Sequence, residues 1–305
     1  MKILVIKQSA LGDIILSTGA FAAIRDHHQD AEITLLTTKR FRPLVANAPW
    51  FDRIEIDSQP ARWQLLSRSR LRRQLNKPGY HRVYDLQGSR RTNRYLGLFA
   101  NPKPEWSGIA PGASHFDKNP DRTAVHTVER HRIQLSHAGV DMTKLLDIGF
   151  MDGDLSPFDL PRTFCLLVPG SAPRRPKKRW PAEAYGELAH ALLTQGITPV
   201  LIGGPAEADA MTTITGIEPD ARDLSGRTDF GQIAALARRA AFAVGNDTGP
   251  MHIIAAAGCP TLTLFSSDST PVRSVPGGPA GRFIQVNELA DLTIGRVLDE
   301  TAGLA

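Results

Sequence analysis

Four turns in this sequence carry residue types suited to phosphate binding and proton transfer. Ser9-Ala10-Leu11-Gly12-Asp13 directly follows a short apolar run. Gly12 lets the backbone approach a ligand, the helix start offers free N–H groups, and Asp13 has the chemistry of a general base. The ordinary alternative is a helix-start aspartate favoured by the dipole. Pro169-Gly170-Ser171 leads into the cationic loop Lys177-Lys178-Arg179-Trp180-Pro181. A Gly-Ser turn beside cations is a phosphate cradle, or else a basic surface loop; the Walker spacing is absent. Gly203-Gly204-Pro205-Ala206-Glu207 offers a carboxylate for ribose hydroxyls, with a helix-start Glu as the plainer reading. Gly245-Asn246-Asp247-Thr248-Gly249-Pro250-Met251-His252 is the most informative segment. Several polar or flexible residues converge at one strand end there, and Pro250 suits a first helical turn.

These turns need strands and helices to position them. Apolar, β-branched runs at Lys2–Ile6, Glu32–Thr37, Arg53–Asp57 and Arg82–Leu86 read as strands, with helical spacing between them, including one helix from Gly12 to Ile24. Residues 151–163, with Gly153, Pro157 and Pro161, break the rhythm as a linker. The pattern restarts with strands at Phe164–Val168, Thr198–Ile202, Phe242–Val244 and Thr261–Phe265, and a last helix from about Leu289 to Thr301. Alternating strands and helices predict two doubly wound α/β domains, 1–155 and 156–305, with ligands at the carboxyl ends of the strands and a cleft between the halves. The last helix is free to return to the first domain.

The 305 residues suit two domains, and 42% hydrophobic against 22% charged residues excludes a mainly disordered chain. The stretch from Thr248 to Ser267 lacks Asp, Glu, Lys and Arg, but its Gly, Pro and His residues favour a buried helix and strand over a membrane span. Two cysteines form no disulfide framework and no metal-ligand spacing occurs, so a reduced, cytoplasmic setting without metal or cofactor is expected. Asp152-Gly153-Asp154 matches the D-x-D of metal-dependent sugar transfer, yet falls in the linker and is read as chance. Between Arg62 and Arg94 ten basic residues face only Asp85, a charge of +9, while the rest of the chain carries −4. Such a block attracts a polyanion: nucleic acid, an anionic membrane or a phosphorylated ligand.

Together, KILVIKQSALGDIILS, VPGS…KKRWP, GGPAE and GNDTGPMHIIAAAGCPTLTLF resemble glycosyltransferase family 9, the bacterial ADP-heptose:lipopolysaccharide heptosyltransferases, over nearly the whole chain. The resemblance implies a GT-B fold, two Rossmann-like domains facing across a cleft, with the acceptor on the first and the donor on the second. It makes Asp13 the base, places Lys178 near the diphosphate and Glu207 at the ribose, and lays Asp247, Thr248 and Gly249 over sugar and diphosphate. His252 stands behind that loop. Ser171 falls near the phosphates, although the loop before Lys178 differs in length, and Thr228 lies near the adenine by spacing alone. Gly19 stands where many members carry proline.

The implied reaction is a metal-independent inverting transfer of heptose from an ADP-sugar to an anionic lipopolysaccharide core. On the acceptor side, Ser9, Gly12, Arg62, Arg90 and Arg91 are the candidates, and the basic block allows peripheral contact with the inner membrane. Alternatives are a relative using another sugar nucleotide or a protein acceptor, a GT-B epimerase, and a nucleic-acid-binding protein. For the last, the basic block lacks a reading motif and holds only Trp63, Tyr80 and Tyr84 as aromatics, so nucleic acid is not expected.

Overall fold

A computed structural model describes residues 1–61, 63–171, 174–278 and 280–304. The chain divides into two compact units, Met1–Phe150 and Met151–Ala305. In the first, the strands are β1 (Lys2–Ile6), β2 (Glu32–Thr37), β3 (Arg53–Ile56), β4 (Arg82–Asp85), β5 (Glu105–Gly108) and β6 (His115–Phe116). Its helices are α1 (Leu11–Ile15), α2 (Thr18–His27), α3 (Arg42–Val45), α4 (Leu65–Asn76) and α5 (Thr127–Ser136). The second unit has β7 (Phe164–Val168), β8 (Thr198–Leu201), β9 (Arg222–Asp223), β10 (Ala243–Asn246), β11 (Thr261–Phe265) and β12 (Gly281–Gln285). Around them run α6 (Ala182–Thr194), α7 (Ala208–Ile217), α8 (Phe230–Arg239), α9 (Gly249–Ala256), α10 (Pro271–Ser274) and α11 (Ile294–Ala302).

Each unit holds one six-stranded sheet, ordered β3-β2-β1-β4-β5-β6 and β12-β11-β10-β7-β8-β9, with every pairing parallel. This is the Rossmann strand order twice over. Strand order reverses between β1 and β4 in the first sheet and between β7 and β10 in the second, where open α/β sheets bind ligands. Strands β1, β7, β10 and β11 are buried almost throughout, as parallel strands covered on both faces must be.

The structure refines the sequence expectations in several places. The helix expected over 12–24 breaks into α1 and α2. Ser17 Oγ donates to the Asp13 carbonyl at 2.6 Å and Thr18 Oγ1 to that of Ile15 at 2.8 Å, competing with the helical ladder. Residues 152–154 belong with the second unit: Gln232 Nε2 donates to the Asp154 carbonyl at 3.0 Å, and a Cβ on Gly153 would meet Gln232 N at 2.5 Å. The last helix buries Val297 in the second unit's core, with Trp180, Leu188 and Leu289.

Candidate active site

In the first unit the turn after β1 is held by the turn after β4. Gln87 Oε1 accepts N–H groups from Gln8 at 2.8 Å and Ser9 at 3.1 Å. Lys7 crosses the same switch point, its Nζ donating to the Leu86 carbonyl at 3.2 Å. Asp13 then sits half-buried in α1, where its Oδ2 accepts from Ala10 N at 3.0 Å. Gly12 is buried beside it. Burial lowers the Lys7 ammonium to about 8, and the Asp13 and Asp85 carboxylates oppose that fall. Asp85, at the end of β4, accepts from Gln87 N and Gly88 N at 3.2 and 3.0 Å, yet burial raises its carboxyl to about 6. His131 of α5 is buried nearby and kept neutral, first by burial and then by Lys7, Arg130 and Arg122.

The loop that follows carries Arg90 and Arg91, both exposed. Gly88 is favoured at its start: φ is +53°, in the left-handed region, and a Cβ would press on the Arg122 guanidinium at 2.7 Å. A second buried carboxylate, Asp57, organises the far side. Tyr95 OH donates to its Oδ2 at 2.6 Å and Gln59 N to its Oδ1 at 2.7 Å, while Gln8 Nε2 makes a short bond to Oδ2. Arg91 Nη1 donates to the Gln59 carbonyl at 3.1 Å. Ser9, Gly12, Asp13, Arg90 and Arg91 therefore lie on the two turns flanking one switch point. Arg62 lies outside the described residues.

In the second unit the corresponding turns follow β7 and β10. Asn246 closes β10 and ties the two turns together. Its Oδ1 accepts from Trp180 N at 3.1 Å and Tyr185 OH at 3.2 Å, and its Nδ2 donates to the Pro169 carbonyl at 2.7 Å. This brings Lys178, 8% exposed, to Asp247, with Nζ to Oδ2 at 2.5 Å. Ser269 Oγ donates to the same oxygen at 2.9 Å. Ser171 is buried, its Oγ finds no hydrogen-bond partner among the described residues, and Arg179 Nη2 donates to its carbonyl at 3.0 Å. Thr248 caps α9 in an extended conformation, and its own side chain makes no cap bond to the first-turn N–H groups. Gly249 opens α9, and His252 is buried one turn in.

Glu207 lies at the next turn along, after β8. Its Oε2 accepts from Gly204 N at 2.8 Å, and its side chain stands 3.0 Å from where a Cβ on Gly170 would be. Thr228 is half-buried in the loop from β9 to α8, which Gly226 N ties to the Gly203 carbonyl at 2.8 Å. The donor candidates thus share the carboxyl edge of one sheet, with Ser171, Lys178 and Asp247 at the switch point, Glu207 beside it and Thr228 further out. Among the described residues no group of three or more His, Cys, Asp or Glu side chains could hold a metal ion.

Sequence reasoning missed the supports. Lys7 was visible as a lone cation closing an apolar strand, and Asn246 as a polar residue inside the Gly-Asn-Asp-Thr-Gly turn. Asp57, Asp85 and Gln87 carried no local signal, because their partners lie at strand ends far away in the chain.

Comparison with known proteins agrees with this architecture. Residues 68–291 match the model of glycosyltransferase family 9 (heptosyltransferase). The chain is 27% identical to lipopolysaccharide heptosyltransferase 2 of Salmonella typhimurium, covering 100% of this chain and 98% of that protein. Among solved structures, ADP-heptose lps heptosyltransferase II of E. coli superposes with a TM-score of 0.77 at 24% identity, covering 100% and 98%. The family 9 glycosyl transferase of Veillonella parvula gives 0.86 at 21% identity, covering 99% and 96%. E. coli heptosyltransferase WaaC with ADP gives 0.81 at 20% identity over both full chains. These matches share the GT-B fold of two Rossmann-like domains. The chain belongs to glycosyltransferase family 9, the heptosyltransferase family.

Proposed function

We propose that this protein transfers a heptose from ADP-heptose to an anionic lipopolysaccharide inner-core acceptor, with inversion. The observation that carries the donor half is the second unit's switch point. There a nearly buried Lys178, a Ser171 hydroxyl without a partner among the described residues and the start of α9 stand on adjacent turns. A diphosphate leaving group develops charge as the sugar–oxygen bond breaks, and this set of donors meets it. On this reading Glu207 accepts from ribose hydroxyls, Thr228 contacts the adenine, and Asp247, Thr248 and Gly249 meet the sugar and phosphates. His252 supports their helix from behind.

On the first unit, Asp13 takes the proton of the acceptor hydroxyl as that oxygen attacks the anomeric carbon. Lys7, whose ammonium feels the Asp13 carboxylate, brings a cation to this side of the site. Ser9 and Gly12 shape the turn that receives the acceptor, and the exposed Arg90 and Arg91 hold its phosphates and acidic sugars. Transfer needs both units to act on one pair of substrates. The names of the relatives support this donor and acceptor; another sugar nucleotide or a protein acceptor is the competing reading.

A thermal-shift panel with ADP, UDP, GDP and CMP tests the donor half. A ligand bound only by the folded state raises the melting temperature by mass action. ADP alone should raise it. A rise with a different nucleotide would keep the site and discard the ADP-sugar, and no rise with any would remove the site.

A further inference from the structure

Helix α4 has one thin buried stripe, Leu71 and Leu75. The opposite face, reached at helical spacing, carries Leu66, Arg70, Arg73 and Lys77, all exposed. Arg72 is exposed too. At the start of the helix Trp63, Leu65 and Leu66 are 82%, 72% and 80% exposed. Scattered apolar side chains on a surface need no explanation, but three large ones within four residues mark a contact. The other large exposed apolar residues, such as Met1, Leu145 and Val272, stand singly along the chain.

Arg70, Arg72, Arg73 and Lys77 enter no ion pair among the described residues. Asp85, the one acid between positions 62 and 94, is buried. Arg70, Arg73, Gln74, Asn76 and Lys77 line an open groove of about 610 Å³.

A soluble polyanion recruits cations alone. An anionic bilayer recruits both kinds of group: cations at headgroup level and a few large apolar side chains, Trp above all, at the edge of the acyl region. We propose that Trp63, Leu65 and Leu66, with the cationic face of α4, form a docking element for an anionic lipid bilayer. The element lies on the surface, since no helix among the described residues is long and apolar enough to cross a membrane. It extends the proposed function, because a lipid-linked acceptor lies in such a surface. Vesicle binding is read without donor or acceptor, so failure of docking and failure of transfer are distinguishable.

Tryptophan fluorescence gives a direct test. Of the four tryptophans, Trp50, Trp106 and Trp180 are 4%, 0% and 2% exposed, so Trp63 alone reports solvent. The full chain is mixed with vesicles of phosphatidylcholine, alone or with phosphatidylglycerol, and followed by emission, by quenching from brominated acyl chains and by cosedimentation. The anionic vesicles should bind it, shift the emission to the blue and quench Trp63, with the effect fading as salt rises. Each cation removed should weaken partition about fivefold, so Arg70→Gln with Arg73→Gln should cost about thirtyfold. Trp63→Ser should abolish the quenching and weaken binding. Both variants change exposed side chains and should keep the parent's melting temperature. Equal binding to both vesicle types, no binding at low salt, or binding without quenching of Trp63 would overturn the proposal. Displacement of the vesicles by single-stranded RNA would reassign the face to nucleic acid.

Discussion

Replacing Lys178 by alanine perturbs two balances at once. In the free protein its Nζ gives one of three N–H groups to Asp247 Oδ2, at 2.5 Å. Breaking a fully buried ion pair by removing one partner costs about 3–5 kcal/mol. Here the two side chains are 10% and 11% exposed and Ser269 still donates to the orphaned carboxylate, so water and hydroxyl screen part of that cost. The expected loss of stability is nearer ~1–2 kcal/mol, measured by urea denaturation. The two remaining N–H groups are the ones a diphosphate can use. Hydrogen bonds to a charged partner contribute about 1.5–3 kcal/mol, so the ADP dissociation constant should rise roughly ten- to hundredfold by titration calorimetry. Lys178→Arg should recover part of this, since charge is kept while the geometry changes. An ADP affinity within about twofold of the parent, alongside the stability loss, would make Lys178 a structural partner of Asp247 and refute its role as a phosphate ligand.

Further consequences follow from other positions. Asp13→Asn should lower kcat by about 10²–10⁴-fold with ADP affinity unchanged, read by steady-state ADP release; a near-normal rate would remove Asp13 as the base. Asp85 titrates at about 6 in the folded protein against 3.8 as its ordinary value. The folded state therefore keeps a proton that the unfolded state loses between those values, and stability should fall as pH rises through that window. Asp85→Asn keeps an oxygen for Gln87 N and Gly88 N, and should flatten this slope and gain on the order of 1–3 kcal/mol at neutral pH; urea midpoints that still fall across the window would contradict it. Gly245→Ala should destabilise by about 1–3 kcal/mol in the same assay, because its Cβ would meet Met251 Sδ at 2.6 Å and Val168 Cβ at 2.8 Å. Burial raises the Cys165 thiol and pushes that of Cys259 up to about 12, so neither should react with iodoacetamide in the folded protein; rapid labelling would contradict their burial.

The central strands were legible because burial on both faces demands continuous apolar runs, as in KILVI of β1 and FCLLV of β7. The outer strands were not. β6 and β9 have two residues each, and β12 buries only Ile284, so neither length nor alternation marked them. The donor turns were readable because glycine and polar residues follow apolar strands directly. What joins them was not: Asn246 meets Pro169 and Trp180 across about seventy residues, and no local pattern encodes such a partnership. The same holds for Gln87, which holds the turn before Asp13 from the far side of the first switch point. Lys178 read as one cation in a basic loop, and only the fold reveals it as a nearly buried charge committed to Asp247.

Heptose transfer is tested by the rate of ADP release from ADP-heptose, with and without a heptose-deficient lipopolysaccharide core. ADP should be released only when the acceptor is present, the sugar should appear on that acceptor, and both should be lost in Asp13→Asn. Release at the same rate without acceptor, or no release with it, would contradict the assignment.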